Sequence, residues 1–245
     1  MCLVFGMNYM MRYLAVRKLN TKNQTQNTPV KVKKMASDPA ISRFGLLRHA
    51  ETLWNRQSKI QGQRDSSLTD RGKSEADGWG RQLSRVSWDR IVGSDLGRAV
   101  ETAAIINHYL RIPFKTDLRL REQDWGQWTG EGVARIESEE LFKLDEAKRT
   151  GWQFCPPGGE DRFSVWRRSQ SALLDAAERW PGETILIVTH EGVIKSLIYR
   201  LCNCGFLPGE AALIEPRHLH WLTVSQGELN VHQLNALQLL RQNDK

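Results

Sequence analysis

Four places in the chain carry residue types suited to one kind of chemistry. They are Arg48-His49, Ser94 to Arg98, Arg121-Glu122 and His190. A lone histidine after a strand is more often structural than catalytic. Two histidines, two or three arginines and a carboxyl group of complementary type are harder to dismiss. Together they suit phosphoryl transfer. Arginine presents a rigid fork that matches phosphate oxygens. A neutral imidazole nitrogen is a competent nucleophile at pH 7. The phosphoryl transition state chiefly needs positioning and positive charge on its equatorial oxygens. A helix starting just past His190 would add backbone N–H groups to the same anion. Glu122 is the available carboxyl group to protonate a leaving oxygen.

These residues must be brought together by the elements before them. From Ser42 the chain reads as alternating strands and helices. Short apolar runs predict strands at 43–47, 89–94 and, more weakly, 115–120. The run Thr184–Thr189 is continuous and β-branched, which predicts a central strand. Thr69 is a candidate N-cap for a helix running to about Ser84. Further helices are predicted over 98–110 (stopped by Pro113), 161–179 and 192–201, with a loop at 57–67. Residues 217–224 and 229–234 read as a terminal hairpin around Gln226-Gly227. The stretch 124–160 differs, with Trp125, Trp128, Trp152, Phe154 and a Pro-Pro-Gly-Gly turn around a charged helix at about 133–148. It reads as an inserted lid whose aromatics either stack on a ligand or form the lid's own core. The predicted fold class is α/β, a three-layer sandwich with a mostly parallel central sheet, helices on both faces and the lid. Ligands bind such sheets outside the carboxyl ends of the strands, where all four clusters stand.

Arg48-His49-Ala50-Glu51-Thr52-Leu53-Trp54-Asn55 resembles the signature of the histidine phosphatase superfamily, the phosphoglycerate mutase-like proteins. Further segments resemble the family in the same order. They are Gln61-Gly62 with Leu68-Thr69 and Gly72, Ser94 to Ala99 with Thr102-Ala103, Leu120-Arg121-Glu122 with Trp125-Gly126 and Trp128-Thr129-Gly130, Pro157 to Glu160, and Val188-Thr189-His190. The match spans roughly residues 43–200. Each motif alone is weak, but their common order is specific. The resemblance implies that His49 attacks phosphorus and carries a phosphohistidine, while Arg48, Arg98 and His190 hold the phosphoryl oxygens. It implies that Glu122 gives and then takes back a proton, and that Asn55, Gln61 and Gly62 line the phosphate pocket. The family uses no metal and no other cofactor is expected. The sequence, too, shows no dense carboxylate cluster of the Mg²⁺ type. Two positions depart from the family pattern. Ala50 replaces a usual glycine and is expected to be tolerated. Glu191 stands where a small glycine is usual; it would repel phosphate if it faced the pocket. It is expected to face outward, as an acidic first-turn residue of its helix.

Charge narrows the remaining classes. The net charge of +7 comes from residues 1–37, which hold seven basic side chains and no acid. Residues 38–245 balance 28 basic against 28 acidic residues, so nucleic-acid binding is not expected of that domain. The 1–37 stretch is read as a disordered or mis-started extension and 38–245 as the catalytic domain. Mean hydropathy is −0.50 and no apolar run reaches membrane-spanning length, so no membrane partner is expected. Four cysteines make no disulfide framework, and a cytoplasmic location is the default. Cys202 and Cys204 with His218 or His220 do not match a zinc spacing; buried thiols and solvated histidines are expected. The expected partner is a small phosphorylated metabolite; a homodimer is compatible with the sequence. Three functions follow. The favoured one is a metal-independent phosphomonoester phosphatase. The others are a 2,3-bisphosphoglycerate-dependent mutase and an inactive relative that only binds phosphorylated ligands. The mutases have a longer insertion after the acid motif, whereas 67 residues separate Glu122 from His190 here.

Overall fold

The computed structural model describes residues 40–139 and 149–240. The 1–37 extension and the second half of the predicted lid helix lie outside the described residues. Six strands form one sheet: β1 (Ser42–Arg48), β2 (Arg90–Gly93), β3 (Phe114–Thr116), β4 (Thr184–Thr189), β5 (His218–Ser225) and β6 (Glu228–Gln238). Their order is β3-β2-β4-β1-β5-β6. The first four are parallel, and β5 and β6 add an antiparallel edge. The apolar run 184–189 is therefore central, as its composition predicts.

The period-two alternation of the strands sorts the core into two layers. Phe44, Leu46, Ile185 and Ile187 face one side. There they pack on α5 (Arg162–Arg179) and α6 (Glu191–Leu201). Leu47, Leu186, Val188 and Ile91 face the other side, against α2 (Asp70–Leu83) and α3 (Gly97–Leu110). This is the expected three-layer arrangement. Two short helices complete it, α1 (Leu53–Arg56) and, in the lid, α4 (Val133–Glu139).

Local chemistry sets the boundaries. The Thr69 hydroxyl accepts from Gly72 N at 2.9 Å and starts α2. Asp161 accepts from Ser164 N at 2.7 Å and starts α5. Helix α3 ends at Arg111, in the left-handed region at φ 53°, two residues before Pro113. The third strand is shorter than its predicted span. Asp117 accepts from Arg119 N at 2.9 Å and turns residues 118–120 into a 3₁₀ turn. The sequence reading missed α1, whose capping box pairs Thr52 with Asn55. His220 also departs from expectation. It is buried, and its Nδ1 accepts from Asn235 N at 3.1 Å. Cys204 is buried as expected, and Cys202 forms the C-cap of α6.

Candidate active site

The parallel register builds the centre. Arg48 pairs with Thr189 at the last step of β1 and β4. The next residues, His49 and His190, therefore leave the sheet side by side, with ring centroids 5.1 Å apart. His49 Nδ1 lies 2.8 Å from the Ala50 carbonyl. A carbonyl only accepts, so Nδ1 carries the proton. Nε2 is then left with its lone pair, and Arg98 Nε donates to it at 3.3 Å. Burial, followed by the charges of Arg48 and Arg98, holds the His49 pKa well below its ordinary 6.5. The side chain is thus a neutral imidazole with a defined tautomer and an unprotonated Nε2.

His190 is fully buried, and neither ring nitrogen has a protein partner among the described residues. Burial first, and then His49 and the arginines, keep it neutral as well. Unpartnered nitrogens at such a position are costly unless a ligand satisfies them. Gln61 Oε1 is a further buried atom without a partner among the described residues.

Arg98 is 1% exposed and held on all sides. Its Nη1 donates to the Arg64 carbonyl at 2.8 Å and to Asp65 Oδ1 at 3.0 Å. Its Nη2 donates to the Gly62 carbonyl at 2.7 Å. Asp65 also accepts from Gly97 N at 2.6 Å, capping α3 in place of Leu96. Gly62 sits at φ 51°, where a side chain would crowd Thr129 and Trp125.

Glu122 lines the same cavity. Its oxygens accept from Gln123 N at 2.8 Å and Gly192 N at 3.2 Å. Burial raises its pKa above the ordinary 4.5, despite the opposing pull of those donors and the arginines. A Cβ on Gly192 would lie 2.2 Å from Glu122 Oε1, so glycine there lets the carboxyl group keep this position. The backbone around Glu122 is pinned by Arg168, whose Nη1 donates to the Arg119 and Arg121 carbonyls, both at 2.6 Å. Arg168 Nη2 reaches the Glu122 carbonyl at 3.0 Å, and Arg168 also pairs with Glu160. Thr189 Oγ1 donates to the Leu120 carbonyl at 2.7 Å, tying this segment to β4.

Arg48, Asn55, Gln61, Gly62 and Arg98 all line one cavity of about 430 Å³ together with His49 and Glu122. Asn55 Oδ1 is occupied by the Thr52 backbone N–H, at 3.1 Å. Glu191 overturns its expectation. It does occupy the first turn of α6, but it lines the cavity. Arg48 Nη1 donates to its Oε2 at 2.6 Å, and Lys195 Nζ to its Oε1 at 2.5 Å. The carboxylate is held between these two cations, both of which also line the cavity. Ala50 is accommodated in a small apolar cluster with Leu68 and Ala76. Of the lid aromatics, Trp128 and Phe154 form a core with Ile136, while Trp125 and Trp128 also border the cavity. The contacts among these rings are those of the lid's own core.

Sequence reasoning missed Asp65, Arg168, Gly192 and Lys195. Asp65 sits in a polar loop and Arg168 within a charged helix, where only the fold assigns them partners. Lys195 follows Glu191 by four residues on α6, a pairing readable from spacing alone.

A neutral imidazole with an unprotonated Nε2 against a buried arginine, a second arginine and a carboxyl group on one cavity, at the edge where the parallel strands end, define a class of α/β protein suited to handling phosphoryl groups. The chain belongs to the histidine phosphatase superfamily (branch 1), whose family model matches residues 44–237. It is 36% identical over 170 residues to phosphoglycerate mutase-like protein 4 of Arabidopsis thaliana, covering 67% of this chain and 73% of that one. It is 31% identical over 167 residues to glucosyl-3-phosphoglycerate phosphatase of Mycobacterium tuberculosis, covering 63% and 73%. The solved structure of Bacillus stearothermophilus YhfR superposes with a TM-score of 0.74 at 30% identity, covering 82% of this chain and all of that one.

Proposed function

We propose that this protein is a metal-independent phosphatase that hydrolyses a small phosphomonoester through a phosphohistidine on His49. The observation that carries the reading is the tautomer of His49. Its Nδ1 is tied to the Ala50 carbonyl, which leaves the Nε2 lone pair to meet the Arg98 guanidinium, and its ring, on the cavity wall, lies 5.1 Å from that of His190, whose nitrogens are unpartnered among the described residues. In the first step Nε2 attacks phosphorus, a P–N bond forms and the ester P–O bond breaks. Glu122 gives its proton to the leaving oxygen. In the second step water attacks the phosphohistidine, Glu122 takes a proton from it, the P–N bond breaks and phosphate leaves. Arg48, Arg98 and His190 hold the phosphoryl oxygens, and Asn55, Gln61 and Gly62 shape the pocket around them. The raised Glu122 pKa favours a group that is an acid in one step and a base in the next. A small phosphorylated metabolite in the cytoplasm is the substrate this reading implies.

The test is phosphate release across a panel of phosphomonoesters with EDTA present. In parallel, 3-phosphoglycerate with 2,3-bisphosphoglycerate is scored for isomerisation. Release from a panel member supports the phosphatase. Isomerisation without release replaces it with the mutase, and silence in both arms replaces it with a ligand-binding relative.

A further inference from the structure

Three cations of the cavity, Lys59, Arg162 and Lys195, are not used by the reaction described above. Arg162, the first residue of α5, lines the cavity at the lid. Arg48 and Lys195 share Glu191, and Arg98 pairs with Asp65. No carboxylate among the described residues contacts Arg162. Lys59, also on the wall, is exposed and makes no ion pair among the described residues. Arg162 is different because it is held in place. Its guanidinium lies 4.3 Å from the Phe154 ring centre and 4.5 Å from that of Phe206. Nη1 donates to the carbonyls of Gly151, at 3.1 Å, and Phe206, at 3.3 Å. Nε and Nη2 have no protein acceptor among the described residues.

The surroundings are built at some cost. Phe206 holds φ at 60°, a left-handed conformation that bulky residues rarely adopt. Its ring and its carbonyl both meet Arg162, and the ring also borders the cavity. Burial pulls the guanidinium pKa down to about 10, as expected for a desolvated cation without a counter-ion. Two aromatic faces stabilise such a cation only partly. An anion arriving in the cavity would complete its coordination, and the planar fork favours a bidentate oxyanion.

We infer that Arg162, framed by Phe154 and Phe206, is a leaving-group subsite for a second anionic group, so that the substrate carries an oxyanion at the end remote from its phosphate. This rests on the phosphatase reading and narrows its substrate class. Two carboxylates on the cavity wall, Glu137 and Glu191, disfavour a second anion beside them. A carboxylate and a phosphate share the chemistry Arg162 recognises, and the experiment separates them.

The test uses linear phosphomonoesters of graded chain length. One end carries phosphate and the other a carboxylate, a phosphonate or a neutral carboxamide. The readout is kcat/KM for phosphate release. The expected result is that at least one charged member exceeds its carboxamide counterpart by tenfold or more in the wild-type protein. The type of group preferred names the source of the anion. In Arg162→Gln the charged-to-neutral ratio falls at least tenfold, and Arg162→Lys restores part of it. A merely structural role would lower both substrates together and leave the ratio unchanged. Equal rates for charged and neutral members in the wild-type protein overturn the subsite while leaving the phosphatase intact. That result needs no variant to fold. Failure to release phosphate from any member, or from p-nitrophenyl phosphate, overturns both.

Discussion

Replacing Glu191 with glutamine should tighten the protein's hold on phosphate. Arg48 is committed to the Glu191 carboxylate at 2.6 Å, and a phosphate must compete with that carboxylate for the same guanidinium. The two side chains are 43% and 39% exposed, so solvent screens the pair. Ion pairs in that setting amount to about 0.5–1 kcal/mol. One pKa unit, about 1.4 kcal/mol, is a factor of ten, so releasing Arg48 corresponds to roughly a two- to fivefold gain in affinity. Two other consequences share this sign. Lys195 loses its partner and turns toward the anion, and the carboxylate's repulsion of phosphate disappears. Burial pushes the Glu191 carboxyl up, but Arg48 and Lys195 outweigh it and hold the group below its ordinary 4.5. The carboxylate is therefore charged at neutral and mildly acidic pH, and the variant's advantage should persist until Glu191 protonates. The assay is the inhibition constant of inorganic phosphate against p-nitrophenyl phosphate hydrolysis. It should fall two- to fivefold at low salt. The difference should shrink near 1 M salt, where the screening length is about 3 Å. An unchanged or weakened phosphate affinity would refute the reasoning, because Glu191 would then be orienting Arg48 for phosphate and not competing with it.

Glu122→Gln should slow alkyl phosphates by roughly 10²–10⁴-fold and p-nitrophenyl phosphate far less, since nitrophenolate leaves without a proton; equal slowing of both would remove the acid role. Gly192→Ala places a methyl 2.2 Å from Glu122 Oε1. The flexible carboxylate must move, so kcat for alkyl phosphates should fall while thermal stability changes little; unchanged kcat would show that the Glu122 position is not critical. Stability should decline as pH drops below 6.5, because His49, His190 and His220 are buried neutral and the unfolded chain takes up protons first. Glu122, raised in the folded state, opposes this part of the way. His220 is lowered by burial, and by nearby His218, to about 4. Its share grows by about 1.4 kcal/mol per pH unit, to roughly 3 kcal/mol. A chemical-denaturation series between pH 7 and 4 on His220→Gln should show a shallower slope than the wild type, and equal slopes would contradict the assignment.

The strands and helices that carry the site were legible because their signals are local. The run 184–189 announces a buried strand by composition, and Thr69 and Asp161 announce helix starts by their hydroxyl and carboxylate caps. The convergence of His49, Arg98, Glu122 and His190 followed from the rule that parallel strands present their carboxyl ends to one edge. The orientation of Glu191 was not legible. A helix-terminus preference of a few tenths of a kcal/mol up to about 1 kcal/mol is easily outweighed by two cations that only the fold brings near. Lys195 was four residues away and readable, but Arg48 was 143 residues distant. The shortness of the third strand depended on one Asp117 hydrogen bond that propensity does not predict. His220 looked like an exposed residue of an edge hairpin. It is buried because β5 lies between β1 and β6, with His220 opposite Leu46, and its Nδ1 accepts from Asn235 N where the β5–β6 register is irregular.

The central claim is that His49 is the nucleophile, and trapping the intermediate tests it most directly. The protein is mixed with a rapidly hydrolysed phosphomonoester, quenched under alkaline conditions where phosphohistidine survives, digested and mapped by mass spectrometry. The account predicts phosphate on Nε2 of His49 in the wild-type protein, and neither phosphoenzyme nor turnover in His49→Ala. Phosphate on another residue, or turnover retained by His49→Ala, would contradict it.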